Sequence, residues 1–294
     1  MDAYAPTPDL SRLSSMAWLD GCIADLPTPF DAHDGLDFAG VARLCERQIA
    51  AGCPAILIGD NAGEAATLCH AEHAALIRTA VAIARGRVRV IAGAGSNATA
   101  QAIALTRQAE AAGAAAVLSV VPYYNRPMQQ GIVAHFEAIA GATALPVILY
   151  DNPSRCARGL TDDTVARLAR LPNVVGLVDA GGDLGRPQRL RARLPAGFRL
   201  LSGDDASAPA FLALGGDGAI SATANLCSAH PAMRDHWMRL TAALAEDGTA
   251  AGLKYALSLL GAIAPHVRPP MVEPGEAAKA AIARALMAGV DDAR

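Results

Sequence analysis

Two tyrosines stand side by side in PYYNRP (122–127), and a third closes the run PVILY (146–150). The chain has only five tyrosines, so three of them in two such places call for an explanation. Phenols at neighbouring strand ends, joined by one more hydrogen-bonding group, can relay protons. Just beyond Tyr150, in YDNPSR, Arg155 offers the planar fork that grips a carboxylate. Each residue also has a plainer reading. Tyr123 and Tyr124 can pack amphipathically with wetted hydroxyls, and a lone loop arginine is often a solvated charge.

Other candidate groups reduce to structural roles. His70 and His73, in LCHAEHAAL, stand at i and i+3 in the first turn of a helix, with Cys69 near the N-cap and Glu72 at the capping-box position. No matching ligand set appears elsewhere, so no metal and no other cofactor is expected. Asp204 and Asp205 precede APAFLALGG and read mainly as an N-cap with favourable charge at the helix dipole. Cys22, Cys45, Cys53, Cys69, Cys156 and Cys227 have no CxxC pairing and read as reduced thiols.

These residues need a scaffold, and the chain supplies a regular one. Short apolar runs recur: CIADL (22–26), AILIG (55–59), VRVIAG (88–93), AVLSVV (116–121), PVILY (146–150), NVVGLV (173–178), FRLLSG (198–203) and GAISA (218–222). Between them lie longer Ala-, Leu- and Arg-rich segments of helical period, several closing on Gly. Eight such units of roughly thirty residues predict an α/β fold, a (β/α)8 TIM barrel with a C-terminal helical appendage. A doubly wound sheet would need fewer units and a Gly-rich first turn, which is absent. The organisation expected is an N-terminal extension (1–18), the barrel (19–229) and a C-terminal helical region packed on it (230–294), split by the PHVRPP turn at 265–270.

The 294 residues, 52% hydrophobic and 18% charged, suffice for a large core, and the net charge of −3 leaves no footprint for nucleic acid or an anionic membrane. The first twenty residues lack a basic segment followed by an apolar one, and no long uncharged apolar stretch follows. A soluble, cytoplasmic protein is expected.

Taken together, Thr28-Pro29, GEAATL (63–68), VIAGAGSNATAQAI (90–103), PYYNRP, ILYDNPSR, LSGDDAS (201–207) and ISATAN (220–225) resemble the dihydrodipicolinate synthase / N-acetylneuraminate lyase family of pyruvate-dependent class I aldolases. The resemblance spans about 19–290 and looks closest to the dihydrodipicolinate synthase branch. It implies that Tyr150 sits over the reacting carbonyl and that Arg155 holds an aldehyde substrate's carboxylate. Tyr124 would reach across a subunit interface into a neighbour's site, implying a homodimer or homotetramer. Ile220 would lie beside the pyruvate, and Gly63-Glu64 match the usual strand 2 loop.

The departures are more telling. The family's nucleophilic lysine belongs in a Gly-[Ile/Leu]-Lys-[Glu/Asp]-[Ala/Ser] stretch, and here that stretch is Gly176-Leu177-Val178-Asp179-Ala180. A Thr-Thr pair that would join the tyrosines and bind the pyruvate carboxylate is Asn61-Ala62, and Asp60 replaces a small residue. Class I aldol chemistry needs a neutral amine, which valine cannot supply. The only lysines are Lys254 and Lys279, both in the C-terminal region. Three readings stand open. One is altered lyase- or hydrolase-type chemistry on a small 2-oxo or hydroxy acid, using Tyr124, Tyr150 and Arg155 without an imine. Another is a non-catalytic binder or a partner subunit of an active paralogue. The third is a conventional synthase served by a different amine.

Overall fold

The structure, a computed structural model, describes residues 16–227 and 233–291. Most of the expected N-terminal extension, and the boundary expected at 229/230, lie outside the described residues. Eight strands, β1 (Gly21–Asp25), β2 (Ala55–Ile58), β3 (Arg89–Gly93), β4 (Ala116–Val120), β5 (Val147–Asp151), β6 (Val174–Asp179), β7 (Arg199–Ser202) and β8 (Gly218–Ser221), pair in parallel and in sequence order. β8 returns to β1, with Ile23 opposite Ile220, and the barrel is closed.

Alternation along each strand divides the core in two. Ile23, Leu57, Ile91, Leu118, Ile148, Tyr150, Val178, Leu201 and Ile220 fill the barrel interior. Their neighbours, such as Ala24, Ile56, Val117, Leu149 and Leu177, face a ring of helices. That ring comprises α1 (Phe38–Ala50), α2 (His70–Ala84), α3 (Thr99–Ala111), α4 (Gln129–Ala140), the single turn α5 (Pro153–Cys156), α6 (Asp162–Leu168), α7 (Arg186–Arg191) and α8 (Ala208–Ala213). Beyond β8 come α9 (Arg234–Ala245), α10 (Thr249–Leu259) and α11 (Glu276–Asp291), which pack on one another, and the PHVRPP turn lies between the last two. No helix among the described residues is long and apolar enough to cross a membrane.

The capping residues act largely as their types predict. Asp37 accepts a hydrogen bond from the Gly40 amide at 2.9 Å and opens α1, and Glu72 accepts one from the Cys69 amide at 2.9 Å at the start of α2. His73 is buried, its Nε2 2.7 Å from the Gly93 carbonyl, while His70 faces Gln101. The two rings therefore have separate partners. No group of three or more metal-ligating side chains occurs among the described residues.

One buried ion cluster locks the β5 and β6 ends to the helices. The Arg186 guanidinium donates to Asp151 at 2.7 Å, Asp179 at 3.1 Å, Asp162 at 3.1 Å and the Leu160 carbonyl at 2.6 Å. Asp151 and Asp179 face each other across the β5–β6 register. Burial pushes the Asp151 carboxyl up while Arg186 pulls it back. Removing one partner of such a cluster strands buried charge, at a cost of about 3–5 kcal/mol. Arg186→Met should lower stability by about that much in urea denaturation. Arg186→Met combined with Asp151→Asn and Asp179→Asn should recover most of it; no recovery would mean the cluster's worth lies in packing.

Candidate functional site

At the carboxyl end of the barrel a cavity of about 260 Å³ opens between the strand ends. Strand β6 delivers Val178 to it, in register with Tyr150 on β5 and Leu201 on β7. Val178 is 1% exposed, and its methyl group would lie 2.8 Å from a Cβ placed on Gly203. The same Cβ would lie 3.2 Å from the Tyr150 ring, so glycine at 203 keeps this corner open. Tyr150, Arg155, Asn61, Ala62, Val178 and Ile220, six of the residues singled out from sequence, all line the cavity.

Gly63 and Tyr124 do not line it. Gly63 works one step back: its carbonyl accepts the Thr28 hydroxyl at 2.6 Å, which ties the strand 2 loop to the loop after β1. Tyr124 stands 91% exposed in the loop after β4, with φ at +71°, in the left-handed region that non-glycine residues rarely enter. Tyr123 and Met128 are exposed beside it in sequence. Glu64 also takes a left-handed conformation, φ +51°. Its side chain is held from the far side of the chain, by an ion pair to Lys254 and by the Arg268 amide at 3.1 Å.

The phenol of Tyr150 receives a hydrogen bond from the Asn152 amide at 2.9 Å. Its oxygen is thereby occupied as an acceptor and its own proton is free to be donated. Burial and the nearby Asp60 and Asp25 carboxylates push its pKa up, so at neutral pH it is a proton-bearing donor.

The carboxylates are the feature that sequence reading underrated. Asp25 sits inside CIADL, and in a list of apolar runs it passed as part of the strand. Closure of the barrel turns it into the cavity: its Oδ2 accepts the Ala62 amide at 3.1 Å, and its buried Oδ1 has no partner. Burial and Asp60 hold the Asp25 carboxyl well above the usual carboxylate range. Asp60 is pushed up to about 6 by burial, against the pull of the Asn61 amide and Arg155. Asp205 is the third. Expected as a helix cap, it instead accepts the Thr223 amide at 2.9 Å and lines the cavity, with the Ser221 and Thr223 hydroxyls beside its carboxylate. Burial raises it too. The turn before α8 is held by Asp204, whose carboxylate accepts from the Ser207 amide at 3.0 Å and its hydroxyl at 2.5 Å.

Neither lysine lines the cavity. Lys254 is fully buried, donating to the His266 carbonyl at 2.9 Å, paired with Glu64 and seated 4.0 Å from the Phe30 ring centroid. Burial lowers it to about 8, against the pull of Glu64. Lys279, on α11, pairs with Glu276 of the same helix and with Glu273 just before it.

A closed parallel barrel with an arginine, a buried phenol and a polar cavity at its carboxyl end belongs to the architecture in which enzymes gather catalytic groups at strand ends. Residues 18–288 match the model of the dihydrodipicolinate synthetase family, and the chain belongs to that family. It is 46% identical over 290 residues to the 4-hydroxy-tetrahydrodipicolinate synthase of Hyphomonas neptunium, covering 92% of this chain and 99% of that one. The enzyme of the same name from Rhodospirillum centenum is 44% identical over 283 residues, covering 91% and 97%. Among solved structures, the 4-hydroxy-tetrahydrodipicolinate synthase of Methylacidiphilum fumariolicum superposes with a TM-score of 0.89 at 34% identity, covering 93% of this chain and 96% of that one. A dihydrodipicolinate synthase characterised as the first monomeric variant superposes with a TM-score of 0.87 at 30% identity, covering 92% and 96%.

Proposed function

We propose that this family member binds a small 2-substituted carboxylic acid through Arg155 and acts on it without forming an imine, as a lyase driven by proton transfer. The observation that carries this reading is the end of β6, where Val178 faces the cavity and no lysine among the described residues lines it. Carbon–carbon condensation through an iminium needs an amine as its electron sink. The groups present suit a different task. Tyr150 and a protonated carboxyl can hydrogen-bond a ligand oxygen, and an ionised carboxylate can take a proton. The Arg155 guanidinium lines the same cavity and suits a ligand carboxylate.

The same reading includes a homo-oligomer. The exposure of Tyr124 and its left-handed backbone support a reading in which it meets a second copy and completes that copy's pocket.

The name carried by the relatives favours a conventional synthase, the second reading, which requires an amine other than residue 178. One experiment separates the two. Incubated with pyruvate and borohydride, the purified protein should keep its mass. A stable adduct would establish the conventional reading, and peptide mapping would then identify the amine. A binder or partner subunit would also keep its mass; consumption of any acid that raises the melting temperature distinguishes the enzyme from it.

A further inference from the structure

Two carboxylates from neighbouring strands share the cavity, Asp25 at the end of β1 and Asp60 just after β2. The strand 2 loop joins them, since the Ala62 amide donates to Asp25 Oδ2 at 3.1 Å. Two acids in one chamber of about 260 Å³ ionise one at a time, because a second negative charge would meet the first with little water to screen it. Their surroundings decide which keeps its proton. Asp60 has the Asn61 amide and the Arg155 guanidinium beside it, and both favour its charged form. Asp25, only 7% exposed, has the one amide, and its charged neighbours are the Asp60 and Asp205 carboxylates. Burial and Asp60 therefore hold Asp25 neutral at pH 7, whereas Asp60, pushed up to about 6 by burial, is mostly ionised.

A neutral carboxyl is a donor. With Oδ2 accepting the Ala62 amide, the Asp25 proton belongs on Oδ1. Tyr150 is a second donor in the same cavity, its oxygen accepting from Asn152 at 2.9 Å and its own proton left to give. The phenol lies near enough to both carboxylates to feel their charge. Val178, in register with Tyr150, makes the adjoining wall apolar, where hydrogen bonds to a developing charge are strongest. Two neutral donors and one ionised carboxylate are the parts that grip a carbonyl oxygen while a neighbouring C–H gives up its proton.

We propose that Asp25 and Tyr150 together hold the carbonyl oxygen of a 2-oxo acid, and that Asp60 is the base that takes a proton from its third carbon. This rests on the proposed acid pocket and names the groups that move the proton in it. The C–H electron pair becomes the C2–C3 double bond, the carbonyl π pair moves onto oxygen, and two hydrogen bonds spread the enolate charge. Nothing is oxidised or reduced, and the proton on Asp60 returns to carbon or passes to water. Two hydrogen-bond donors thus take the part of the electron sink.

The test follows pyruvate and 2-oxobutyrate in D2O by proton NMR. The wild-type protein should replace the C3 protons with deuterium faster than buffer alone, without gaining mass on borohydride treatment. Asp60→Asn should slow exchange by about 100-fold or more. Asp25→Ala should slow it by about 100-fold, and Asp25→Asn, which keeps a neutral donor, by less than about ten-fold. The wild-type kcat/KM for exchange should fall below pH about 6, as Asp60 takes up its proton. The other charged and titratable groups facing the pair are Tyr150, Arg155, Asp204 and Asp205. If a 2-oxo acid raises the melting temperature but exchanges no faster than in buffer, or if Asp60→Asn exchanges like the wild type, the proton transfer falls and the acid pocket survives. If Asp25→Asn loses as much as Asp25→Ala, Asp25 acts as a charge and its donor role falls. Should the Asp25 variants fail to fold, Tyr150→Phe examines the same receptor, and exchange at the wild-type rate would overturn it. A borohydride adduct, or the lack of any stabilising acid, would remove the proposed function as well.

Discussion

Val178→Lys should restore an amine to the β6 end and yet trap pyruvate poorly at pH 7. The new side chain would enter the cavity between Tyr150 and Gly203, where Asp25, Asp60 and Asp205 gather. Opposite charges at close range favour the ammonium, and only the free amine attacks a carbonyl. Each unit by which the carboxylates raise the lysine pKa removes about ten-fold of free amine, as long as the pH lies below that pKa. Adduct formation with borohydride should therefore rise with pH. Adding Asp25→Ala and Asp60→Gly should speed trapping at pH 7 by ten-fold or more. Complete trapping by Val178→Lys alone at pH 7 would show that the carboxylates do not govern the site.

Lys254→Met should cost stability on the same scale as Arg186→Met. Lys254 is fully buried and paired with Glu64, and the substitution leaves that carboxylate buried without its partner. The expected cost is about 3–5 kcal/mol, read as a lower urea midpoint. Lys254→Met with Glu64→Gln should recover part of it. Beyond stability, Glu64 anchors the loop that carries Asp60, Asn61 and Ala62, so Lys254→Met should also weaken ligand binding. A destabilised protein with unchanged affinity would separate the anchor from the pocket.

The barrel itself was legible because each strand is a short apolar run and each run ends in small or polar residues. Reading those ends pointed to Tyr150 and Arg155, the family resemblance added Asn61, Ala62, Val178 and Ile220, and all six line one cavity. What stayed hidden depends on closure. Asp25 lies within an apolar run, and only the pairing of β1 with both β2 and β8 brings it beside the strand 2 loop. The signal was there: an acid inside a strand that is otherwise apolar, two residues before a proline. Asp205 was hidden by its neighbour, since an Asp-Asp pair before a helix looks like a cap; α8 starts after Ser207, and Asp204 holds the turn before it. Arg186 was one arginine among many, and nothing local distinguishes it from the exposed Arg189 three residues on. Its three carboxylate partners come from β5, β6 and the start of α6, a convergence that no short window of sequence contains.

The cavity wall is not made by the barrel alone. Thr241, Leu244 and Ala245 from α9 and Thr249 from α10 reach over the strand ends and close one side of it. Ligand range in this scaffold can thus diverge through the tail of the gene while every strand stays as it was. Exchanging the segment after β8 between relatives would transplant one face of the chamber in a single recombination event.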